Sequence, residues 1–224
     1  MDTPYETTRQ PGWPLWWRWT LATATGELLG FAVPALVAPL VVSALGALPE
    51  APRALALLPL VALAGVVEGA VLGYAQWRVL RRTLAAISAR AWVLPTALAA
   101  GVAYLLGMAP NTLGDLGAGF PLVIAAWVLV YLPLLASIGL AQWTVLRHRL
   151  PRAGWWVPAN AVAWLAGLPL TIVGIGLVPD GSSTAAYIAA GVASGWLMAA
   201  VVGAITGLAL VRMLRAAGPW PGRS

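Results

Sequence analysis

The stretch Gly73-Tyr74-Ala75-Gln76-Trp77-Arg78-Val79-Leu80-Arg81 returns as Gly139-Leu140-Ala141-Gln142-Trp143-Thr144-Val145-Leu146-Arg147. A worn third copy, Gly207-Leu208-Ala209-Leu210-Val211-Arg212-Met213-Leu214-Arg215, lies near the end of the chain. Each copy ends a long apolar run with arginine. Each therefore reads as the place where a helix leaves a membrane.

Composition agrees with that reading. Only 9% of residues are charged and 61% are apolar, whereas soluble domains carry about a quarter charged residues. The apolar runs reach the roughly 20 residues that a bilayer-spanning helix needs. Runs such as Leu55-Ala56-Leu57-Leu58-Pro59-Leu60-Val61 do not alternate, as the strands of a membrane barrel would. The expected class is an all-α membrane protein. With no cysteine and one histidine, His148, disulfides, thiolate chemistry and a His-built zinc site fall away.

Six spans are expected, at about 15–42, 55–80, 92–109, 120–146, 156–178 and 184–211. Arg9 and Arg18 precede the first. Arg78, Arg81, Arg82 and Arg90 join the second to the third, and Arg147, Arg149 and Arg152 the fourth to the fifth. Arg212, Arg215 and Arg223 follow the sixth, leaving Arg53 alone on the opposite side with Glu50, Asp115 and Asp180. The positive-inside rule makes the basic side cytoplasmic and puts both termini there. The expected location is a bacterial inner membrane. Asp2 and Glu6 argue against a cleaved signal peptide, so span one is expected to stay as an anchor.

The expected partners are the bilayer and anionic headgroups at the cytoplasmic face. The loops are too short for a nucleic-acid groove; a protein partner or self-association stays open. Trp13, Trp16, Trp17, Trp19, Trp77, Trp92, Trp143, Trp155, Trp156 and Trp220 map near the basic boundary and are expected to form an interfacial belt.

The odd spans share an entry phrase: Trp19 then Thr23, Trp92 then Thr96, Trp156 then Asn160. The unit is therefore a two-helix hairpin used three times, at about 15–82, 90–150 and 154–216, within one integral membrane domain covering residues 1–224. The simplest arrangement is a pseudo-threefold bundle of parallel repeats. Thr23, Gln76, Thr96, Gln142 and Asn160 form a candidate polar ring near the cytoplasmic face. It is either a set of interhelical hydrogen bonds or a polar gate. Gly65, Gly69 and Gly73 make a small-residue face on span two, expected to meet Gly26 and Gly30 of span one. Pro34, Pro133 and Pro169 are expected to bend their spans.

Two carboxylates fall inside spans. Glu27 is about 12 Å beyond Trp19 and Glu68 about 13 Å before Trp77, so the antiparallel hairpin sets them at matched depth. An ionised acid at a span centre costs roughly 2.5–3.5 kcal/mol. A shared proton, a bound cation or a hydrogen bond to a backbone carbonyl freed by Pro34 would relieve it. Aligning the hairpins sets Ala100 and Trp164 opposite Glu27, and Leu134 and Val202 opposite Glu68. The acids therefore lie outside the repeated framework. They form the candidate intramembrane proton, cation or substrate site.

The Gln-Trp-x-Val-Leu-Arg phrase (residues 76–81 and 142–147), with Trp155-Trp156-Val157-Pro158-Ala159-Asn160, resembles a repeat of bacterial multi-pass membrane proteins of uncharacterised activity. That resemblance implies location and no reaction. The three-hairpin layout is similar to that of mitochondrial carriers, but their Pro-x-Asp/Glu-x-x-Lys/Arg signature is missing at the ends of the odd spans. No nucleophile–base pair, metal cluster or nucleotide loop is visible, so an enzyme is not expected and no cofactor or metal is implied. Two functional readings remain. One is a small proton- or cation-linked transporter or channel. The other is a non-catalytic scaffold, assembly factor or substrate-binding subunit of a larger membrane complex.

Overall fold

The computed structural model describes residues 12–217; Arg9, Trp220 and Arg223, and the signal-peptide argument from Asp2 and Glu6, lie outside the described residues. Six long α-helices follow one another: α1 (Trp13–Leu45), α2 (Glu50–Leu80), α3 (Ala89–Asp115), α4 (Phe120–Leu146), α5 (Trp156–Gly176) and α6 (Thr184–Ala216). A single 3-10 turn, Ala153–Trp155, leads into α5. No strand occurs among the described residues. Each helix is long and apolar enough to cross a membrane, and the expected spans match in number and order.

The start and stop signals are local. Pro14 sits in the first turn of α1 and Pro121 in that of α4, where a missing N–H costs nothing. Ser88 and Ser183 cap α3 and α6, accepting from the backbone N–H of Ala91 and Ala186. Helices α1, α4 and α5 run on through Pro34, Pro133 and Pro169 without a break.

Each helix packs on its sequence neighbours, and α6 packs back on α1, closing the order. Leu36, Leu132 and Ile172 are more than 70% exposed. Such apolar exposure on every helix suits hydrocarbon, not water. Lipid is as apolar as any core, so helix association rests on close packing and on interhelical hydrogen bonds.

Glycines set the close contacts. A Cβ on Gly26 would meet the Ala75 Cβ at 2.8 Å, and one on Gly30 would meet the Glu68 carbonyl at 2.8 Å. The α1–α2 seam is thus built from the α1 glycines. The Gly65–Gly69–Gly73 face does not complete that seam, contrary to the sequence expectation. It packs on α3, where added Cβ atoms would meet the Ala100 carbonyl, the Ala100 Cβ and the Thr96 Cβ at 2.7, 2.5 and 3.1 Å. Gly139 likewise faces Asn160 of α5, and Gly207 faces Trp19 and Trp16 of α1. In each copy of the phrase the glycine receives the next odd helix in chain order, the last returning to α1. A small-residue stripe marks a face that touches something; the partner is decided by where the bulk on the opposite side points.

Burial is concentrated toward the arginine-rich end. The buried residues of α1 lie between Trp19 and Gly30, those of α4 between Leu135 and Leu146, and those of α5 between Trp156 and Gly167. Under them fold Leu84 and Ile87 from the α2–α3 connection and Leu150 and Ala153 from the α4–α5 connection. The opposite half is packed far more loosely.

Gly69→Ala forces α2 and α3 apart and is expected to lower stability by about 1–3 kcal/mol, the usual cost of overpacking. At Gly195 an added Cβ meets nothing within 4 Å. Gly195→Ala is therefore expected to be neutral or to stabilise by up to about 1 kcal/mol through helix propensity. Thermal unfolding of both variants in the same detergent checks the pair; equal shifts would refute the packing assignment.

Candidate functional site

The arginine-rich end is built around three tryptophans, one from each odd helix. Trp19, Trp92 and Trp156 are fully buried and meet edge-to-face at centroid distances of 5.7–6.3 Å. These three do not join an interfacial belt. Gly207 leaves room for the Trp19 ring, and the Trp19 and Trp156 indoles find acceptors on α6 and α4. Trp13, Trp17 and Trp155 are exposed, as a belt requires, and Trp16, Trp77 and Trp143 are half-buried. Edge-to-face contacts add about 0.5–1.5 kcal/mol per pair beyond area burial.

All five residues of the expected polar ring are buried. Four are linked directly. The Gln76 amide donates to the Thr23 hydroxyl at 3.3 Å. The Gln142 amide donates to Gln76 Oε1 at 2.9 Å and to Thr96 Oγ1 at 3.2 Å. Asn160 stands beside this network. Its amide donates to its own helix at the Trp156 carbonyl, while its stem packs on Gly139.

The indoles complete the network. Trp156 Nε1 donates to Gln142 Oε1 at 3.0 Å, and Trp19 Nε1 donates to Thr206 Oγ1 at 2.9 Å. Thr206 was not picked out from the sequence. The worn phrase has Leu210 where the other copies have glutamine, and Thr206, one turn earlier, supplies the acceptor. Trp92 Nε1 has no partner. Gln76 Oε1, the acceptor that the pattern offers it, accepts from Gln142 instead.

About one turn deeper lie Glu27 and Glu68, both buried and within hydrogen-bonding reach of each other. Their matched depth follows from the antiparallel hairpin, and their closeness from Gly30, which lets α1 ride directly on the Glu68 backbone. Tyr104 of α3 donates its hydroxyl to Glu68 Oε2. Tyr104 went unnoticed in the sequence, although a phenol in mid-span needs a partner. By the hairpin alignment it stands opposite Phe31 and Leu168, so its hydroxyl, like the two acids, belongs to one copy only. Glu27 Oε2 is buried without any hydrogen-bond partner. The charged or polar groups acting on the two acids are each other and Tyr104; no arginine is among them.

The pair is joined to the tryptophan cluster by helical register. Thr23 is one turn from Glu27 on α1, and Gln76 is two turns from Glu68 on α2. A file of buried polar groups thus runs from the acids through Thr23 and Gln76 to Gln142. No group of three or more His, Cys, Asp or Glu side chains gathers among the described residues. His148 is exposed and accepts from Arg147 Nε. Asp115 ends α3 and Asp180 lies in the α5–α6 turn.

No protein-family model matches the chain, and no curated protein or solved structure matches it at a significant level.

The orphaned indole gives a test. Trp156→Phe strips a donor from Gln142, whereas Trp92→Phe removes a donor that has no acceptor. Both lose similar ring packing. Trp156→Phe is expected to cost about 1–3 kcal/mol more, the range for an unsatisfied buried polar group. Denaturant titration of both variants in one detergent measures the difference; equal losses would place a partner on Trp92 Nε1.

Proposed function

We propose that this chain is a small proton- or monovalent-cation-linked membrane transporter, with Glu27 and Glu68 as the ion-binding pair and Tyr104 as its orienting hydroxyl. The observation that carries the proposal is Glu27 Oε2, a buried carboxyl oxygen with no protein partner, beside a second buried carboxyl. Ionisable groups inside a membrane are costly and by default mark ion or proton pathways.

The surroundings support movement along one direction. The pair sits where the tightly packed half of the bundle gives way to the loose half. Toward the arginine-rich end, the polar file leads to the Gln142–Gln76–Thr96 network and stops at the tryptophan cluster. In this reading the loose half admits the ion, the acids hold it, and the tryptophan end is the closed gate. Thr23, Gln76, Thr96 and Gln142 serve both as interhelical clasps and as the polar lining of that gate. Asn160 positions Trp156 from within its own helix.

We further infer that the three hairpins form a pseudo-threefold bundle. The closed order of neighbours, the tryptophan from each odd helix and the glycine-to-next-helix packing favour it. By the positive-inside rule, the gate faces the cytoplasm and both termini lie there, in a bacterial inner membrane. That placement rests on arginine distribution and on the family resemblance.

Purified protein in liposomes under imposed proton, sodium or potassium gradients is expected to give flux. Glu27→Gln and Glu68→Gln are each expected to remove it, and Tyr104→Phe to reduce it roughly 10–150-fold, in line with losing one hydrogen bond to a charged group. A hydrophobic carbodiimide is expected to label Glu27, with labelling blocked by the transported ion. Flux that survives the double glutamine variant would refute the site. No flux together with unlabelled Glu27 would refute the function.

A further inference from the structure

A second site lies at the surface, away from the acid pair. Between α5 and α6, at the arginine-rich end, runs an open groove of about 430 Å³. Arg152 and Arg212 stand at its mouth beside Trp155, and Val162, Ala209 and Ile205 line its floor. Val162 is seven residues past Trp155, and Ile205 seven before Arg212. The apolar floor therefore descends about 10 Å from the charged rim into the membrane on both helices.

Three observations point to one kind of occupant. First, both guanidinium groups are exposed, and neither side chain has a hydrogen-bond or ion-pair partner among the described residues. Two neighbouring unpaired cations call for an anion. Second, Trp155 is 68% exposed, which sets the rim at headgroup level, where indoles prefer to sit. Third, Arg152 is the one non-glycine among the described residues with positive φ, at 57°. Glycine takes that conformation freely, whereas arginine there is strained. Its side chain, rather than its backbone, accounts for its presence at the rim.

We propose that this groove binds one anionic phospholipid, with its phosphate between Arg152 and Arg212 and an acyl chain along Val162, Ala209 and Ile205. A free phosphate would use the arginines and leave the apolar floor bare. A zwitterionic lipid would fill the floor but bring an ammonium group to a cationic rim. Basic pockets between spanning helices are suited to anionic headgroups. The groove shares no residue with the acid pair, so this site stands whether or not the chain transports an ion.

The test is native mass spectrometry of the detergent-purified full chain, titrated with phosphatidylglycerol or with phosphatidylcholine of the same acyl chains. A single phosphatidylglycerol adduct is expected to form in preference to phosphatidylcholine. The double variant Arg152→Gln/Arg212→Gln is expected to weaken it roughly 30-fold, from the loss of two near-surface cations. Val162→Trp fills the floor and is expected to weaken it with both arginines in place. Arg152→Gly relieves the positive φ, so it is expected to lower lipid binding while thermal stability holds or rises. The control Arg82→Gln/Arg90→Gln, outside the groove, is expected to leave binding unchanged. The proposal is overturned if the groove and control pairs behave alike, or if Val162→Trp binds as wild type. Equal competition by soluble glycerol phosphate would also overturn it, because an anion alone would then suffice.

Discussion

Everything in this bundle depends on satisfying polar groups where no water can do so. Inside hydrocarbon an unpaired donor or acceptor costs several times what it would at a wet surface. A glutamine can therefore sit on a spanning helix only if its neighbours complete it. Gln142 shows the consequence. Its amide serves Gln76 and Thr96, and its carbonyl accepts from Trp156. One side chain on α4 thereby joins α2, α3 and α5. Two of the three stacked indoles, Trp19 and Trp156, are held by acceptors on neighbouring helices, and Gly207 lets the Trp19 ring approach α6.

That constraint divides the polar residues into two kinds. Thr23, Gln76, Thr96 and Gln142 are completed by one another and hold helices together. Glu27 is not completed: its second carboxyl oxygen is buried and empty-handed. Thr20 Oγ1 and Trp92 Nε1 are likewise buried without a partner, but only at Glu27 is the open atom a carboxyl oxygen. Tyr104 lies between the kinds, since its hydroxyl satisfies Glu68 and leaves Glu27 open.

Depth was legible in the sequence, and azimuth was not. The arginines and tryptophans fix where each helix enters and leaves, so six helices and the matched level of Glu27 and Glu68 could be read from spacing. Which face of a helix meets which neighbour left no comparable trace, because a lipid-facing leucine and a core-facing leucine are equally apolar. For that reason Gly65, Gly69 and Gly73 were assigned to α1 and proved to face α3. Trp19, Trp92 and Trp156 had the right level for an interfacial belt, but the wrong direction. Tyr104 and Thr206 were overlooked because each stands in one hairpin at a position that the repeat does not mark. Comparing copies reveals what they share and hides a substitute placed one turn away.

The uneven packing has a mechanical consequence. The tryptophan cluster binds three helices at one end, while their other ends are joined only by short turns and sparse contacts. Such a body behaves as levers on a common fulcrum. With arms of about 20 residues, or roughly 30 Å, a tilt of about 5° moves the tips by about 2–3 Å. That displacement leaves the indole stack nearly undisturbed. The stiff end therefore need not open for the loose end to widen.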